Sequence, residues 1–174
     1  MTLAFKRASP NIWMFLLLLG FVLSGCSNEE SRAGELSPCP STQPYHNCHG
    51  TATNGESKYV GEWRDGEPNG QGTLSKGSGS DGWVYIGEFK NNRFHGDGIW
   101  SFYTGTIIEG EFKDGDLYKG KETYSGGTIT EGEYRDGMIY KGTYISPDGE
   151  KFVGDFKDGE MWTGVVSNPA GVFF

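Results

Sequence analysis

The feature that most limits how this sequence can fold is an eight-residue motif that occurs five times. Each copy centres on a glycine, an acidic residue, an aromatic residue and a basic residue in succession. The copies occupy residues 59–66, 85–92, 108–115, 130–137 and 152–159, and their central glycines lie 26, 23, 22 and 22 residues apart. A fixed period of about 20–50 residues is typical of an array in which each unit packs against the next.

Each copy has the pattern of a β-hairpin. In the first one Tyr59, Gly61 and Trp63 occupy alternate positions, which places aromatic residues and glycine on one face of a strand and charged residues on the other. Asp65-Gly66 is typical of a tight hairpin turn, because glycine accepts a positive φ. A glycine-rich segment at 70–74 then forms the return strand. Since one hairpin is marginally stable alone, we expect the five to stack side by side.

These residues resemble the MORN repeat family. Residues 59–74 and 85–100 follow its tyrosine, glycine, glutamate and aromatic pattern, and the second includes His95-Gly96 and Gly98. The later copies keep the first half but replace the second with Tyr-Lys-Gly at 118–120 and 140–142, and with Trp-Thr-Gly at 162–164. The resemblance covers about two-thirds of the chain. It implies an all-β fold: an elongated single antiparallel sheet of about five stacked hairpins, here assigned to residues 58–174.

The N-terminus resembles a bacterial lipoprotein signal peptide. Lys6 and Arg7 precede a 12-residue apolar run at 12–23, which is too short for a normal membrane-spanning helix. Leu23-Ser-Gly-Cys26 resembles a lipobox, so we expect cleavage of residues 1–25 and acylation of Cys26 with palmitate-like chains; several such chains anchor a protein stably. An ordinary signal peptide or membrane anchor is the alternative. Ser27 after the cysteine suggests the outer membrane of an organism that has one.

Residues 26–57 have the composition of a tether with a half-repeat at its end. Cys39 and Cys48 are the remaining cysteines, and an exported protein meets oxidising conditions, so we expect them to form a disulfide. His46 and His49 lie beside Cys48, but one short loop does not easily close a tetrahedral metal site, and we expect no metal there. Residues 48–51 are interpreted as the end of a degenerate half-repeat that starts the sheet.

Composition argues against several functions. Loss of residues 1–25 leaves 13 basic and 23 acidic residues, a net charge of −10, which repels nucleic acid and anionic lipid. Residues 77–82 match the Gly-x-Gly-x-x-Gly dinucleotide pattern but lead into a strand rather than a helix, so we expect no nucleotide. The scattered histidines have no nucleophile partner. The sequence therefore predicts no enzyme activity and no cofactor.

One acidic residue recurs in every copy, followed two positions later by a basic one. The acidic residues are Glu62, Glu88, Glu111, Glu133 and Asp155, and the basic ones are Arg64, Lys90, Lys113, Arg135 and Lys157. Equivalent positions in successive hairpins lie about 10 Å apart. We interpret this row as a solvated face of alternating charge rather than a cation site.

The leading functional hypothesis is a lipid-anchored protein of the bacterial envelope whose repeats form an interaction scaffold for another envelope protein, on the periplasmic face of an outer membrane where there is one. Its candidate contact residues are the repeat aromatics Trp63, Trp83, Phe89, Trp100, Phe112, Tyr134, Phe156 and Trp162, with Trp100 and Trp162 preferred. The alternative is a surface that binds cell wall or other glycans through exposed aromatic rings. Phe173 and Phe174 are expected to cap the last hairpin, or else to bind a partner.

Overall fold

A computed structural model describes residues 36–172 as one eleven-stranded antiparallel sheet in which every strand lies beside its neighbours in the chain. The strands are β1 (Cys48–Asn54), β2 (Ser57–Arg64), β3 (Glu67–Lys76), β4 (Trp83–Lys90), β5 (Arg93–Phe102), β6 (Ile107–Lys113), β7 (Asp116–Thr123), β8 (Ile129–Arg135), β9 (Met138–Ile145), β10 (Lys151–Lys157) and β11 (Glu160–Ser167). The five repeats are the hairpins that begin at β2, β4, β6, β8 and β10. The predicted single sheet of stacked hairpins is confirmed.

Each hairpin has a two-residue turn and an irregular return strand. At the first turn Asp65 and Gly66 both have positive φ, 53° and 82°, which is the conformation of a type I′ turn and fits the twist of antiparallel strands. Asp114, Asp136 and Asp158 repeat this geometry in the last three hairpins. The pairing register then shifts within every hairpin. The extra residues form a bulge that increases the local twist.

A row of glycines crosses the whole sheet, one in each of its eleven strands, with every glycine paired to the next. The row consists of Gly50, Gly61, Gly72, Gly87, Gly98, Gly110, Gly120, Gly132, Gly142, Gly154 and Gly164. A Cβ at Gly87 would lie only 2.6 Å from Cα of Gly98, so the close pairing of these strands requires glycine.

The aromatic face is the side of the sheet that carries Tyr59 and Trp63, and the outer face is the other side. Rings on the aromatic face lie over the glycine row: Tyr85 is 0% exposed, and its ring covers Gly98. The Tyr85 hydroxyl donates a hydrogen bond to the Glu88 carbonyl at 3.1 Å. The rings of neighbouring hairpins meet edge to face, as Tyr85 and Phe112 do at 5.2 Å between centroids. The core of the protein is this layer of rings.

A disulfide and a short chain segment cover the free edge of β1. Cys39 and Cys48 form the predicted disulfide. The Cys39 amide donates to the His49 carbonyl, and the His49 amide donates to the Ser37 carbonyl, both at 2.8 Å. Strand β1 pairs with β2 and places Gly50 opposite Gly61, as a return strand of a repeat would.

The connections between repeats also follow a common design. The amide of Phe102 donates to the Thr106 carbonyl at 2.9 Å, and the same bond forms from Tyr124 to Thr128, from Ser146 to Glu150 and from Asn168 to Val172. The first connection is longer and contains a three-residue 3₁₀ turn, Gly79–Asp81, between β3 and β4. Phe173 and Phe174 lie outside the described residues, as do Cys26 and the apolar run at 12–23.

Candidate functional site

Most of the aromatic residues predicted to contact a partner are core residues. Trp63, Phe89, Phe112, Tyr134 and Phe156 are all buried on the aromatic face. In the first repeats the rings pack against one another: Tyr59 meets Trp63 at 5.1 Å and Phe89 at 5.0 Å between centroids. These five side chains therefore have no free surface for a partner, and their prediction as contact residues is corrected.

The three remaining candidates differ from one another in exposure. Trp83 and Trp100 are half-buried and pack together, with 5.6 Å between their ring centroids. Phe94 and Phe102 complete this cluster, and the Trp100 indole nitrogen is buried without a hydrogen-bond partner among residues 36–172. Trp162 on β11 is 67% exposed. Of the two preferred residues, Trp162 is therefore the more accessible.

The outer face carries an apolar patch over the first repeats. At its centre Ile86 and Ile99 are paired across β4 and β5, and they remain 56% and 46% exposed. Val60 and Thr73 continue the same row on β2 and β3. Ile107 on β6 lies on the same face and is also exposed. None of these positions was predicted, because β-branched residues on a strand are as common in a core as on a surface.

An acidic row runs beside this patch. Glu88 is paired with Gln71 on one side and with His95 on the other, and Asp97 is paired with Glu111, so these pairs contain no lysine or arginine. Lys119 then follows opposite Glu111. The predicted row of recurrent acidic residues therefore crosses the outer face, and its acidic half lies next to the apolar patch.

Three basic residues on the outer face stack on aromatic rings. Lys113 Nζ lies 3.9 Å from the centroid of the Tyr118 ring, and the Arg135 guanidinium lies 4.6 Å from that of Tyr140. In the third pair, Lys157 Nζ lies 4.7 Å from the centroid of the Trp162 ring. The aromatic partners are the first residues of the segments that replace the second half of the repeat. Tyr118 and Tyr140 were missed as surface aromatics, although their repeated position next to Lys-Gly was a signal.

A groove of about 490 Å³ lies on the aromatic face of the last three repeats. Glu122 on β7 accepts hydrogen bonds from the Tyr124 hydroxyl at 2.7 Å and from the Thr130 hydroxyl at 3.3 Å. The Thr130 and Tyr134 hydroxyls are 2.8 Å apart. Burial, reinforced by the Glu122 carboxylate, raises the pKa of Tyr124 to about 12, and burial also raises the pKa of Tyr134. Sequence reasoning did not identify this site.

Two kinds of site are not found in the part of the chain that the structure describes. Within residues 36–172, no helix has the length and apolar character needed to cross a membrane. The same residues contain no group of three or more histidine, cysteine, aspartate or glutamate side chains placed to hold a metal ion. His46 Nδ1 instead lies 2.7 Å from Asp65 Oδ1, at the first hairpin turn.

Comparison with known families identifies the repeats. The sequence model of the MORN repeat matches residues 59–81 and 85–107, which are the first two hairpins with the connections that follow them. A search of curated proteins finds no match. The matched residues carry the glycine pairing that the structure extends through all five hairpins. The chain is therefore a MORN repeat-containing protein.

Proposed function

We propose that this protein is a non-catalytic, lipid-anchored scaffold of the bacterial envelope that binds another envelope protein through the outer face of its sheet. MORN repeats are generally modules of protein or membrane interaction, which is compatible with this role. The net charge of −10 expected after removal of residues 1–25 favours a protein partner over an anionic membrane surface.

The observation that carries the proposal is the exposed Ile86–Ile99 pair. Scattered apolar side chains are normal on a protein surface, but contiguous apolar residues with a polar rim are typical of an interaction site. Here the apolar residues occupy adjacent strands, and the rim is the acidic row that contains Glu88 and Asp97. The partner surface that fits is apolar at its centre and basic at its edge.

Capture from envelope extract tests the contact surface. The purified full chain is crosslinked to the extract, and the captured proteins are compared with those of Ile86→Glu and Val153→Glu. Val153 is the matched control, because it lies in the same cross-strand row of the outer face and is 46% exposed. We expect a discrete partner that Ile86→Glu loses and Val153→Glu retains. Capture that both variants retain equally would remove the patch from the proposal.

The lipid anchor is tested separately. Cys26 is expected to incorporate an alkyne-labelled fatty acid, and the protein should fractionate with membranes. Cys26→Ala should abolish the labelling and release the protein, unless its uncleaved apolar run holds it in the membrane. Label that persists in Cys26→Ala, or wild-type protein without label, would contradict the anchor. Separation of inner from outer membranes then tests the proposed location.

A glycan-binding surface is the second candidate function. It is favoured by the row of Tyr118, Tyr140 and Trp162 on the outer face, whose members recur on every second strand, about 10 Å apart. Such spacing suits a polymer with repeated sugar faces. If this candidate is correct, the protein sediments with purified cell wall and Trp162→Ala weakens the retention, whereas Tyr103→Ala, which changes an exposed ring between repeats, does not.

A further inference from the structure

The groove on the aromatic face lies where a large packing side chain of the repeat is replaced by threonine. In the other four hairpins the residue two positions before the first glycine is Tyr59, Tyr85, Ile108 or Phe152, and the three rings among them cover the glycine row. In the fourth hairpin the same position is Thr130. The three atoms nearest to a Cβ at Gly132 belong to the backbone, with no ring among them, and Thr130 itself lines the groove together with Tyr144 and Phe156.

The groove contains a carboxylate whose place in the sheet is unusual. Strand register assigns Glu122 to the aromatic face, between Ile108 and Thr130, and no other acidic residue of the eleven strands lies on that face. Both hydrogen bonds that Glu122 accepts reach the same oxygen, Oε2. None of the hydrogen bonds formed within residues 36–172 reaches Oε1. The carboxylate therefore has one oxygen left for a donor from a ligand.

The lining of the groove defines the charge of that ligand. No lysine, arginine or histidine lines it, and Glu122 forms no ion pair with the described residues. The remaining walls are largely aromatic and apolar, with the rings of Tyr124, Tyr144 and Phe156 and the thioether of Met138. A carboxylate beside aromatic rings favours a cation with an apolar stem.

A metal ion does not fit this donor set. Hard cations such as Ca²⁺ take about six to eight oxygen ligands, and Zn²⁺ takes about four ligands in tetrahedral sites. Glu122 is the single carboxylate of the groove, and the described residues hold no metal-binding cluster. An ammonium group needs only the N–H···O bond to Oε1 and contact with the rings.

We propose that this groove binds a primary ammonium group at the end of an aliphatic chain, with the nitrogen on Glu122 and the chain along Tyr144 and Phe156. The ligand is either a free alkyl amine or the side chain of a lysine in a polypeptide. The site lies on the face opposite the apolar patch of the proposed protein contact. A result that disproves ammonium binding in the groove would therefore leave the proposed protein contact unaffected, and the reverse is also true.

Ligand-observed saturation-transfer NMR on the purified full chain tests the proposal with three probes. They are 1,5-diaminopentane, a blocked pentapeptide with one central lysine, and 1,5-pentanediol as the uncharged comparison. We expect saturable binding of an ammonium probe and weaker binding of the diol. Binding of the diamine alone assigns the site to a free amine, and binding of the peptide alone assigns it to a lysine side chain. Binding of neither would overturn the proposal.

Variants locate the binding in the groove. Glu122→Gln keeps the shape and the accepting oxygen but removes the charge, so its affinity for the bound probe should fall about tenfold or more. Glu109→Gln is the matched control on the outer face, where Glu109 pairs with Lys121, and it should not change the affinity. Thr130→Phe supplies a large packing side chain at this position and should block binding in a folded protein. Unchanged affinity in Glu122→Gln, or in folded Thr130→Phe, would refute the assignment.

Discussion

Substitution of Gly87 by alanine tests whether the glycine row sets the spacing of the strands. The new Cβ would lie 2.6 Å from the Asp97 carbonyl oxygen, 2.6 Å from Cα of Gly98 and 2.8 Å from the Tyr85 hydroxyl, whereas ordinary contact begins near 3.4 Å. Two of these atoms belong to the backbone of β5, so no change of rotamer relieves the overlap. The strands must separate by nearly 1 Å at their closest pair, and the ring of Tyr85 must move with them.

The expected cost follows from this geometry. Overpacking of a well-packed site costs about 1–3 kcal/mol, and contacts with backbone place Gly87→Ala at the upper end, about 3 kcal/mol. With an m value of about 2 kcal/mol per molar urea, the unfolding midpoint should fall by about 1.5 M. Gly87 does not have a positive φ, so the effect is steric rather than conformational.

The assay is urea unfolding followed by tryptophan fluorescence, which reports on Trp63, Trp83 and Trp100 around the substituted site. Gly126→Ala is the matched control, since a Cβ there meets nothing within 4 Å and the residue lacks a positive φ. Its midpoint should stay the same or rise slightly, because alanine restricts the unfolded chain. If both variants unfold at the same urea concentration, the strands can separate without loss of stability and the glycine row does not set their spacing.

Three further outcomes follow from other parts of the sheet. Replacing both Cys39 and Cys48 by serine should remove about 2–3 kcal/mol of loop-closure stabilisation and speed hydrogen exchange in β1 before the other strands. Burial raises the pKa of Tyr85 from 10.0 to about 12, which favours its neutral form in the folded protein. Its contribution to stability should therefore be constant below pH 10 and be lost as pH rises from 10 through 12, and Tyr85→Phe should reduce that alkaline loss in urea titrations. Lys157→Gln should alter the emission of Trp162 and cost no more than about 1 kcal/mol, measured against wild type by fluorescence and urea unfolding.

The hairpins could be predicted because their signals are local. Alternation around Gly61 and the turn at Asp65-Gly66 involve neighbouring residues, and the same pattern five times fixes the period. The disulfide was also predictable, since Cys39 and Cys48 are the only cysteines after Cys26. The alternation and the turns depend on short-range backbone geometry, which the structure retains in every repeat.

The exposure of individual rings could not be read from the repeat. Phe89 and Trp162 are both aromatic residues of the repeats, yet one is buried and the other is largely exposed. Phe89 on β4 is covered by Tyr59 from β2 and Phe94 from β5, whereas Trp162 lies on the outer face of β11. Burial in a sheet of this kind depends on contacts between strands, and a single repeat does not specify them.

The groove could not be predicted from the sequence because of the bulges. A strand normally sends alternate residues to opposite faces, but Leu117 and Gly120 lie on the same face although they are three positions apart. The register shift in β6–β7 therefore reverses the phase of alternation, and Glu122 reaches the aromatic face. Counting from the turn would place this carboxylate in solvent. The phase after a bulge is set by pairing with the next strand, which the sequence does not display.

The glycine row restricts where this sheet can evolve a function. On the aromatic face a side chain is excluded along the row, and the rings beside it hold the hairpins together, so most substitutions there cost stability. The outer face has no such restriction, and its rows change from apolar at Ile86 and Ile99 to charged at Glu109 and Lys121 without disturbing the pairing. Thr130 is different, because it stands where the other hairpins have a large packing side chain and it lines a groove beside a carboxylate. The loss of packing at Thr130 is consistent with a groove whose open space binds a ligand.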